Sequence, residues 1–361
     1  MVARWFLISR LAIAAIGVIG VATFVDHRTG TTENTLQTLN PEAVWHKWDS
    51  LWYERIARHG YGHDLDTPQG QAAAGFFPLY PAVVGLVLNV APSLSFFWVA
   101  AALSNLFTLA ALLLIVWGLM DRADQITRVL AIVMTSAGSF YLSIPYTEGL
   151  FLLLVAGTMV AARRGHFEVA GLLAGLSATT RVQGLALAAV PILACWMAAS
   201  LTPRARWTRL AASATLFALP VVVYFTYLAG VQGSWAAFVT RQELWDNPTP
   251  YPFQALLGLM QFPTRISGWL HGGFWLLYLG LLARSWRRLP LGEALFCLGA
   301  LLVSTQQESF HGIYRYTMVL VPLTLALAED RQDVRIALIA INLVFGAIMI
   351  LAFVTNNRLT V

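Results

Sequence analysis

Long apolar runs, most of them about 17 to 25 residues long, alternate with short charged turns along the whole chain. A transmembrane helix needs about 20 consecutive apolar residues, so most of these runs are long enough, or nearly so, to cross a bilayer. The pattern predicts an all-α polytopic membrane protein that forms a single transmembrane domain over residues 1–361. We expect eleven spans, at residues 6–25, 96–120, 128–144, 147–162, 168–181, 184–200, 209–228, 267–283, 292–308, 313–329 and 334–354.

The apolar run FFPLYPAVVGLVLNV, residues 76–90, decides the topology. If it crossed the membrane, the arginines of RRGH and PRARWTR would lie outside. If it is a re-entrant or surface helix, every arginine cluster falls on one side, as cytoplasmic turns prefer. We therefore expect a cytoplasmic N-terminus and two external loops, at about 26–95 and 229–266. The clusters are Arg4/Arg10, Arg122/Arg128, Arg163/Arg164, Arg204/Arg206/Arg209, Arg284/Arg287/Arg288 and Arg331/Arg335.

Composition supports the membrane assignment. The 361 residues are 58% hydrophobic and 11% charged, with a mean hydropathy of +0.66, whereas soluble domains average about 25% charged residues. The N-terminal apolar run lacks a small-residue cleavage site and is expected to act as a signal anchor. The net charge of +5 is explained by basic cytoplasmic turns, so no nucleic-acid partner is needed.

Two further residue types limit the chemistry. Both cysteines, Cys195 and Cys297, lie in apolar runs, which predicts no disulfide framework. The histidines share no metal-ligand spacing, so we expect no metal cluster. A single lysine against 22 arginines suggests a GC-rich bacterial genome. Together with the predicted spans, a bacterial origin predicts a location in the bacterial plasma (inner) membrane.

The segment WHKWDSLWYERIARHGYG, residues 45–62, combines tryptophans with charges in the first external loop. On a helix at about 100° per residue, Trp45, Trp48 and Trp52 share one face and Asp49 lies at its edge. Asp49 is either a surface carboxylate paired with a neighbouring Lys47 or Arg55, or a functional group held at the membrane boundary. In the second case it is suited to take a proton from a substrate.

Polar residues also interrupt the outer ends of several predicted spans. Arg181 in TTRVQG and Arg315 in YRYTMVLVP are either arginines that snorkel to the interface or partners of a phosphate. Gln183 offers neutral hydrogen bonds beside Arg181, and His311 lies near Arg315, which would make an anionic headgroup site. Glu148 in PYTEG is either a solvated acid at a helix N-terminus or a residue with a structural or substrate-binding role.

The segments WDSLWYERIARHGYG, FFPLYP, PYTEGLF, TTRVQG and YRYTMVLVPL occur in this order between residues 45 and 322. Together they resemble the GPI second-mannosyltransferase (PIG-V-like) family and its bacterial relatives, which are GT-C glycosyltransferases. The resemblance implies a GT-C fold with amphipathic helices in the long first external loop and an active site on the external face. It also implies a polyprenyl- or dolichyl-phosphate sugar donor, with mannose as the sugar, and places the catalytic carboxylate on Asp49.

These expectations predict a glycosyltransferase that inverts the sugar configuration and modifies a glycolipid or another cell-envelope acceptor. One base is sufficient because a lipid phosphate leaves as a stable anion, whereas a glycosidase also needs an acid. Arg181 and Arg315 would bind the donor phosphate, and no cofactor is required. The remaining substrate-binding candidates are Trp48, Trp52, Tyr146, Glu148, Gln183 and His311.

A transporter or flippase of polyprenyl-linked sugars is the alternative. It would also use external arginines, but it should contain inverted repeats and charged residues at the membrane midplane. No repeat is visible in the sequence, and the polar residues gather at one surface.

Overall fold

The computed structural model describes residues 1–24, 40–120, 122–245, 253–261, 266–306, 310, 312–357 and 359, and it contains helices but no strand within these ranges. Within these ranges eleven α-helices have ten or more residues, and the others are shorter. In chain order the helices are α1 (Val2–Thr23), α2 (Pro41–Trp45), α3 (Asp49–His59), α4 (Pro68–Ala72), α5 (Leu79–Val90), α6 (Phe96–Leu119), α7 (Ala123–Thr135), α8 (Glu148–Arg163), α9 (Phe167–Ala178), α10 (Gly184–Leu187), α11 (Ala189–Met197), α12 (Pro203–Gln232), α13 (Ala237–Thr240), α14 (Gln254–Gln261), α15 (Ile266–Ser285), α16 (Leu291–Val303), α17 (Ile313–Thr317), α18 (Val321–Ala328) and α19 (Gln332–Val354).

Several apolar helices confirm a multi-pass membrane protein. Within the described ranges, α1, α6, α12 and α19 are long and apolar enough to cross a bilayer. Every predicted span contains helix, but some of this helix is short or interrupted. The 128–144 span consists of α7 and a 3₁₀ turn, 184–200 of α10 and α11, and 313–329 of α17 and α18. The number eleven therefore stays a prediction.

Ion pairs join the arginine-bearing turns to one another at one end of the helices, which we name the arginine face. Each pair links two different turns, so these turns are neighbours. Neighbouring turns are expected if they all lie on the predicted cytoplasmic side. Arg284 donates to Asp330 and holds the pKa of that carboxyl well below its usual range. The pairs are Arg163–Glu293 at 2.9 Å, Arg209–Glu168 at 2.9 Å, Arg284–Asp330 at 2.8 Å and Arg122–Glu329 at 3.9 Å.

Arg10 does not belong to the arginine face, contrary to its grouping with Arg4. It lies more than two turns inside α1, where its Nη1 donates to the backbone oxygen of Ser139 at 2.9 Å and to Oγ of Ser143 at 2.6 Å. The acceptors belong to a stretch where the backbone leaves the helical path. Backbone groups at membrane depth must be satisfied within the protein, and Arg10 supplies a donor for one of them.

The stretch 136–147, which contains one 3₁₀ turn and no α-helix, connects α7 to α8 and carries residues of the candidate site. Polar side chains from α6 and α19 replace its missing helical hydrogen bonds. This fixes the stretch although it is irregular. The bonds are Ser104 Oγ to Tyr146 O, Asn105 Nδ2 to Ser143 O, Thr108 Oγ1 to Leu142 O, and Ala137 N to Asn342 Oδ1, at 3.2, 3.0, 2.8 and 3.0 Å.

A small aromatic core holds the described part of the first loop against α12. Ile56 and Tyr61 of the loop pack with Tyr224 and Leu228 of α12, and the Tyr61 and Tyr224 hydroxyls both donate to the backbone oxygen of Phe76.

Helix α5 has 12 residues and is therefore about 18 Å long, whereas the hydrocarbon core of a bilayer is about 30 Å thick. Helices α7, α9 and α16 are similarly short, so the surface or re-entrant placement of 76–90 stays a prediction.

The topology leads to a labelling prediction. Asp66 and Arg204 are exposed, and the native cysteines are buried. In intact cells, an impermeant thiol reagent should label an Asp66→Cys variant but should reach an Arg204→Cys variant only after permeabilisation. Reversed labelling would contradict the external assignment of the first loop and of everything attached to it.

Candidate active site

Four charged side chains from distant parts of the chain meet at the end of α8 opposite the arginine face. We name Asp49, Glu148, Arg181 and Arg315 the charge cluster. Oε1 of Glu148 accepts from Nη1 of Arg181 at 2.6 Å and from Nε of Arg315 at 2.5 Å. Nη1 of Arg315 also donates to Oδ2 of Asp49 at 2.8 Å. The four formal charges sum to zero.

Exposure separates the two carboxylates. The Glu148 side chain is 0% exposed, whereas that of Asp49 is 28% exposed. Burying an ionised carboxylate is unfavourable unless it is paired and hydrogen-bonded, and Glu148 has both arginines as partners. Asp49 is the carboxylate of the charge cluster that a substrate can reach.

Each arginine also faces an aromatic ring. The guanidinium carbon of Arg315 lies 4.7 Å from the ring centroid of Tyr141 and 4.9 Å from that of Tyr146, and that of Arg181 lies 5.2 Å from the ring of Tyr316. Cation–π attraction at these distances restricts movement of both guanidinium groups. The interpretation of Arg181 as a snorkelling residue is therefore wrong, because its side chain is buried and directed to Glu148.

A break in the helix positions Asp49. The periodicity predicts one helix from Trp45 onward, but α2 ends at Trp45 and α3 begins at Asp49. Trp48 between them has φ 58° and ψ −124°, a conformation that a bulky residue rarely adopts. The predicted shared face of Trp45, Trp48 and Trp52 is therefore wrong, because tertiary contacts override the helical pattern at this turn.

Those contacts involve Lys47. Its Nζ donates to the backbone oxygen of Val354 at 2.7 Å, in the last turn of α19, where carbonyls lack helical partners and attract a cation. Its backbone oxygen accepts from the Tyr146 hydroxyl at 3.0 Å. Arg55 pairs with Asp64 at 3.2 Å. The expected pairing of Asp49 with Lys47 or Arg55 is replaced by a pair with Arg315.

The aromatic residues of α3 lie over FFPLYP. Trp52 stacks on Phe76, with ring centroids 5.7 Å apart and 11° between the planes. Tyr53 meets Phe76, Tyr80 and Tyr146 edge to face. Burial raises the pKa of Tyr53, so this phenol stays protonated near neutral pH.

Buried polar atoms without partners mark the turn between α9 and α10. Nη1 of Arg181 donates to Oγ1 of Thr147 at 3.0 Å. Nε of Arg181 and both amide atoms of Gln183 are buried and have no hydrogen-bond partner in the part of the chain that is described. Leaving such groups unsatisfied is unfavourable by about 1–3 kcal/mol each. A hydroxyl- or phosphate-bearing ligand would satisfy them.

The structure brings five of the predicted residues together, namely Asp49, Tyr146, Glu148, Arg181 and Arg315. His311 lies outside the described residues. Tyr146 is 1% exposed, and its contacts include the backbone oxygen of Lys47 and the guanidinium group of Arg315. Sequence reasoning missed Thr147, whose signal is its place beside Glu148, and Tyr141, which no local pattern distinguishes. No group of three His, Cys, Asp or Glu residues suited to a metal occurs in the described ranges.

The sequence of this region matches a known family. A model of the family described as mannosyltransferase (PIG-V) matches residues 26–230, more than half of the chain. The chain belongs to the mannosyltransferase (PIG-V) family. No curated protein and no solved structure matches it.

The family match contains three members of the charge cluster, Asp49, Glu148 and Arg181. Arg315 lies 85 residues beyond the end of the match at residue 230, and the fold brings it into contact with two of them. The C-terminal third of this mannosyltransferase family member therefore contributes directly to the cluster.

Proposed function

We propose that this mannosyltransferase family member transfers mannose from a polyprenyl- or dolichyl-phosphate donor to a glycolipid or another cell-envelope acceptor, with inversion of configuration. The observation that carries the proposal is the charge cluster, in which an accessible Asp49 is bonded to Arg315 while Arg315 and Arg181 share one buried oxygen of Glu148. Such an arrangement places a base next to two arginines that are suited to bind an anion.

Both arginines retain donors for a phosphate. Their hydrogen bonds to described residues use Nη1 of Arg181 and Nε and Nη1 of Arg315, so both Nη2 groups and Nε of Arg181 remain for a ligand. Planar guanidinium groups bind phosphate oxygens through several parallel hydrogen bonds. We assign the donor phosphate to these two residues.

Asp49 acts as the general base. The acceptor hydroxyl oxygen attacks the anomeric carbon and forms the new C–O bond, while its proton moves to the Asp49 carboxylate. The bond between the anomeric carbon and the phosphate oxygen breaks, and its electron pair leaves with the phosphate. Attack opposite the leaving group inverts the configuration. Arg181 and Arg315 stabilise the charge that grows on the phosphate.

The sugar is assigned to the aromatic and amide groups around the charge cluster. Trp48 and Trp52 offer ring faces, and Gln183 has donor and acceptor atoms without protein partners in the described ranges. The ring of Tyr146 packs against the guanidinium group of Arg315. His311 remains a proposed substrate ligand on its sequence position alone.

In its membrane context, we place the charge cluster on the external face of a bacterial plasma membrane. The chain would form one GT-C domain with eleven spans and external loops at 26–95 and 229–266. The arginine face would then be cytoplasmic, as the distribution of basic residues favours.

A transfer assay tests the proposal. The purified protein in liposomes should move mannose from polyprenyl-phosphate-mannose to lipids extracted from membranes, with a mass gain of one hexose in the product. Heat-inactivated protein and an Asp49→Asn variant serve as controls. A protein that moves the donor across the bilayer without consuming it would contradict the enzyme and favour a flippase.

A further inference from the structure

The proposed proton transfer to Asp49 does not involve Glu148, the buried carboxylate of the charge cluster. We propose that Glu148 is the positioning residue whose negative charge sets how tightly Arg181 and Arg315 hold the lipid phosphate. The inference rests on the proposed function, because it names the regulation of the same anion site. It replaces the expectation that Glu148 contacts the substrate.

Geometry excludes direct contact of Glu148 with a substrate in this conformation. Its side chain is fully buried, and Oε1 accepts from both arginines. Oε2 has Thr147 Oγ1 at 3.4 Å. One oxygen shared by two guanidinium groups holds them at a fixed separation, while the rings of Tyr141 and Tyr146 fix the plane of Arg315.

Charge balance shows what Glu148 contributes. The sugar donor is a phosphodiester with one negative charge, and the released lipid phosphate is a monoester that approaches two negative charges. When the proton has moved to Asp49, that residue is neutral. Two arginines would then face the doubly charged product alone if Glu148 were absent. With Glu148 ionised, the protein presents one net positive charge to it.

The product must leave before another donor binds. A unit charge within about 7 Å, at an effective dielectric near 20, changes the affinity for a phosphate by about tenfold to a hundredfold. Glu148 therefore weakens product binding by this order, while it keeps both arginines oriented for the transition state. Loss of its charge should tighten binding and slow turnover together.

A Glu148→Gln variant tests this role. Gln retains the shape and one acceptor oxygen but lacks the charge. Direct binding of polyprenyl phosphate, measured by the change in tryptophan fluorescence of the purified protein, should tighten about tenfold or more. In the transfer assay, both kcat and the KM for donor should fall. A loss of folded protein alone would change neither the dissociation constant nor KM.

Matched variants complete the test. Glu293 is another buried carboxylate, 3% exposed and bonded to Arg163 at the arginine face, so Glu293→Gln should leave polyprenyl phosphate binding unchanged. Glu148→Asp keeps the charge but shortens the reach, and should lower kcat without tightening binding. If Glu148→Gln alone does not fold, the same substitution is made in an Arg181→Gln background, in which no Arg181 guanidinium is left without its carboxylate partner. This double variant should bind polyprenyl phosphate more tightly than Arg181→Gln alone.

The outcomes separate the two proposals. If wild-type protein transfers no mannose but Glu148→Gln still tightens phosphate binding, the reaction assignment fails and the charge role stands. If transfer occurs and every Glu148→Gln variant binds polyprenyl phosphate with wild-type or weaker affinity, the charge role is wrong and Glu148 is only a structural partner of the arginines.

Discussion

Replacing Asp49 with Asn should lower the transfer rate by about 10²–10⁴-fold, the usual contribution of general-base catalysis. Asn has nearly the same shape and can still accept a hydrogen bond from Arg315, but it cannot take the acceptor proton. Donor binding should not weaken, because a negative charge is removed beside the phosphate site. Steady-state kinetics with a parallel measurement of donor binding would separate the two effects.

A matched variant makes this prediction specific. Glu54 lies on α3 but pairs with Arg58 and His46, so Glu54→Gln should be nearly silent. A folded and fully active Asp49→Asn protein would end the base assignment.

Replacing Arg315 with Ala should reduce kcat/KM by about 10²–10³-fold, the usual loss when one donor to a developing anion is removed. The expected loss exceeds that for Arg181→Ala because Arg315 is paired with both carboxylates of the charge cluster, whereas Arg181 is paired with one of them, Glu148. The rate as a function of donor concentration, measured for both variants, tests this order.

Lysine substitutions distinguish charge from geometry. Lysine supplies a point charge without the planar fork, so it cannot reproduce the two separate bonds from Nε and Nη1 of Arg315. Arg315→Lys should recover part of the lost rate, and Arg181→Lys should recover more. Wild-type rates in all four variants at every donor concentration would show that neither arginine binds phosphate.

The sequence was sufficient to identify the polar residues of the charge cluster. Asp49, Arg181 and Arg315 each interrupt or border an apolar region, where a charge is unfavourable and therefore informative. Their pairing could not be predicted. Asp49 and Arg315 are 266 positions apart, and no local pattern distinguishes Arg315 from Lys47 or Arg55 as the partner of Asp49.

Local backbone structure was less predictable. The pattern at residues 45–52 fits a helix, but the positive φ of Trp48 depends on the contacts of Lys47 with Tyr146 and Val354. Similarly, the apolar run at 128–144 suggests one span, yet its second half leaves the α-helix. That departure depends on hydrogen bonds from Arg10, Asn105 and Thr108, which are distant in sequence.

The length of α8 has a consequence for the surrounding lipid. Its 16 residues extend about 24 Å, from Glu148 in the charge cluster to Arg163 at the arginine face, and the bilayer interior is about 30 Å thick. Hydrophobic mismatch of this size is relieved when the bilayer thins locally around a short helix. With the charge cluster on the proposed external face, a depression in the outer leaflet would bring lipid phosphates down to the level of Arg181 and Arg315, and the proposed polyprenyl donor would enter sideways without leaving its leaflet.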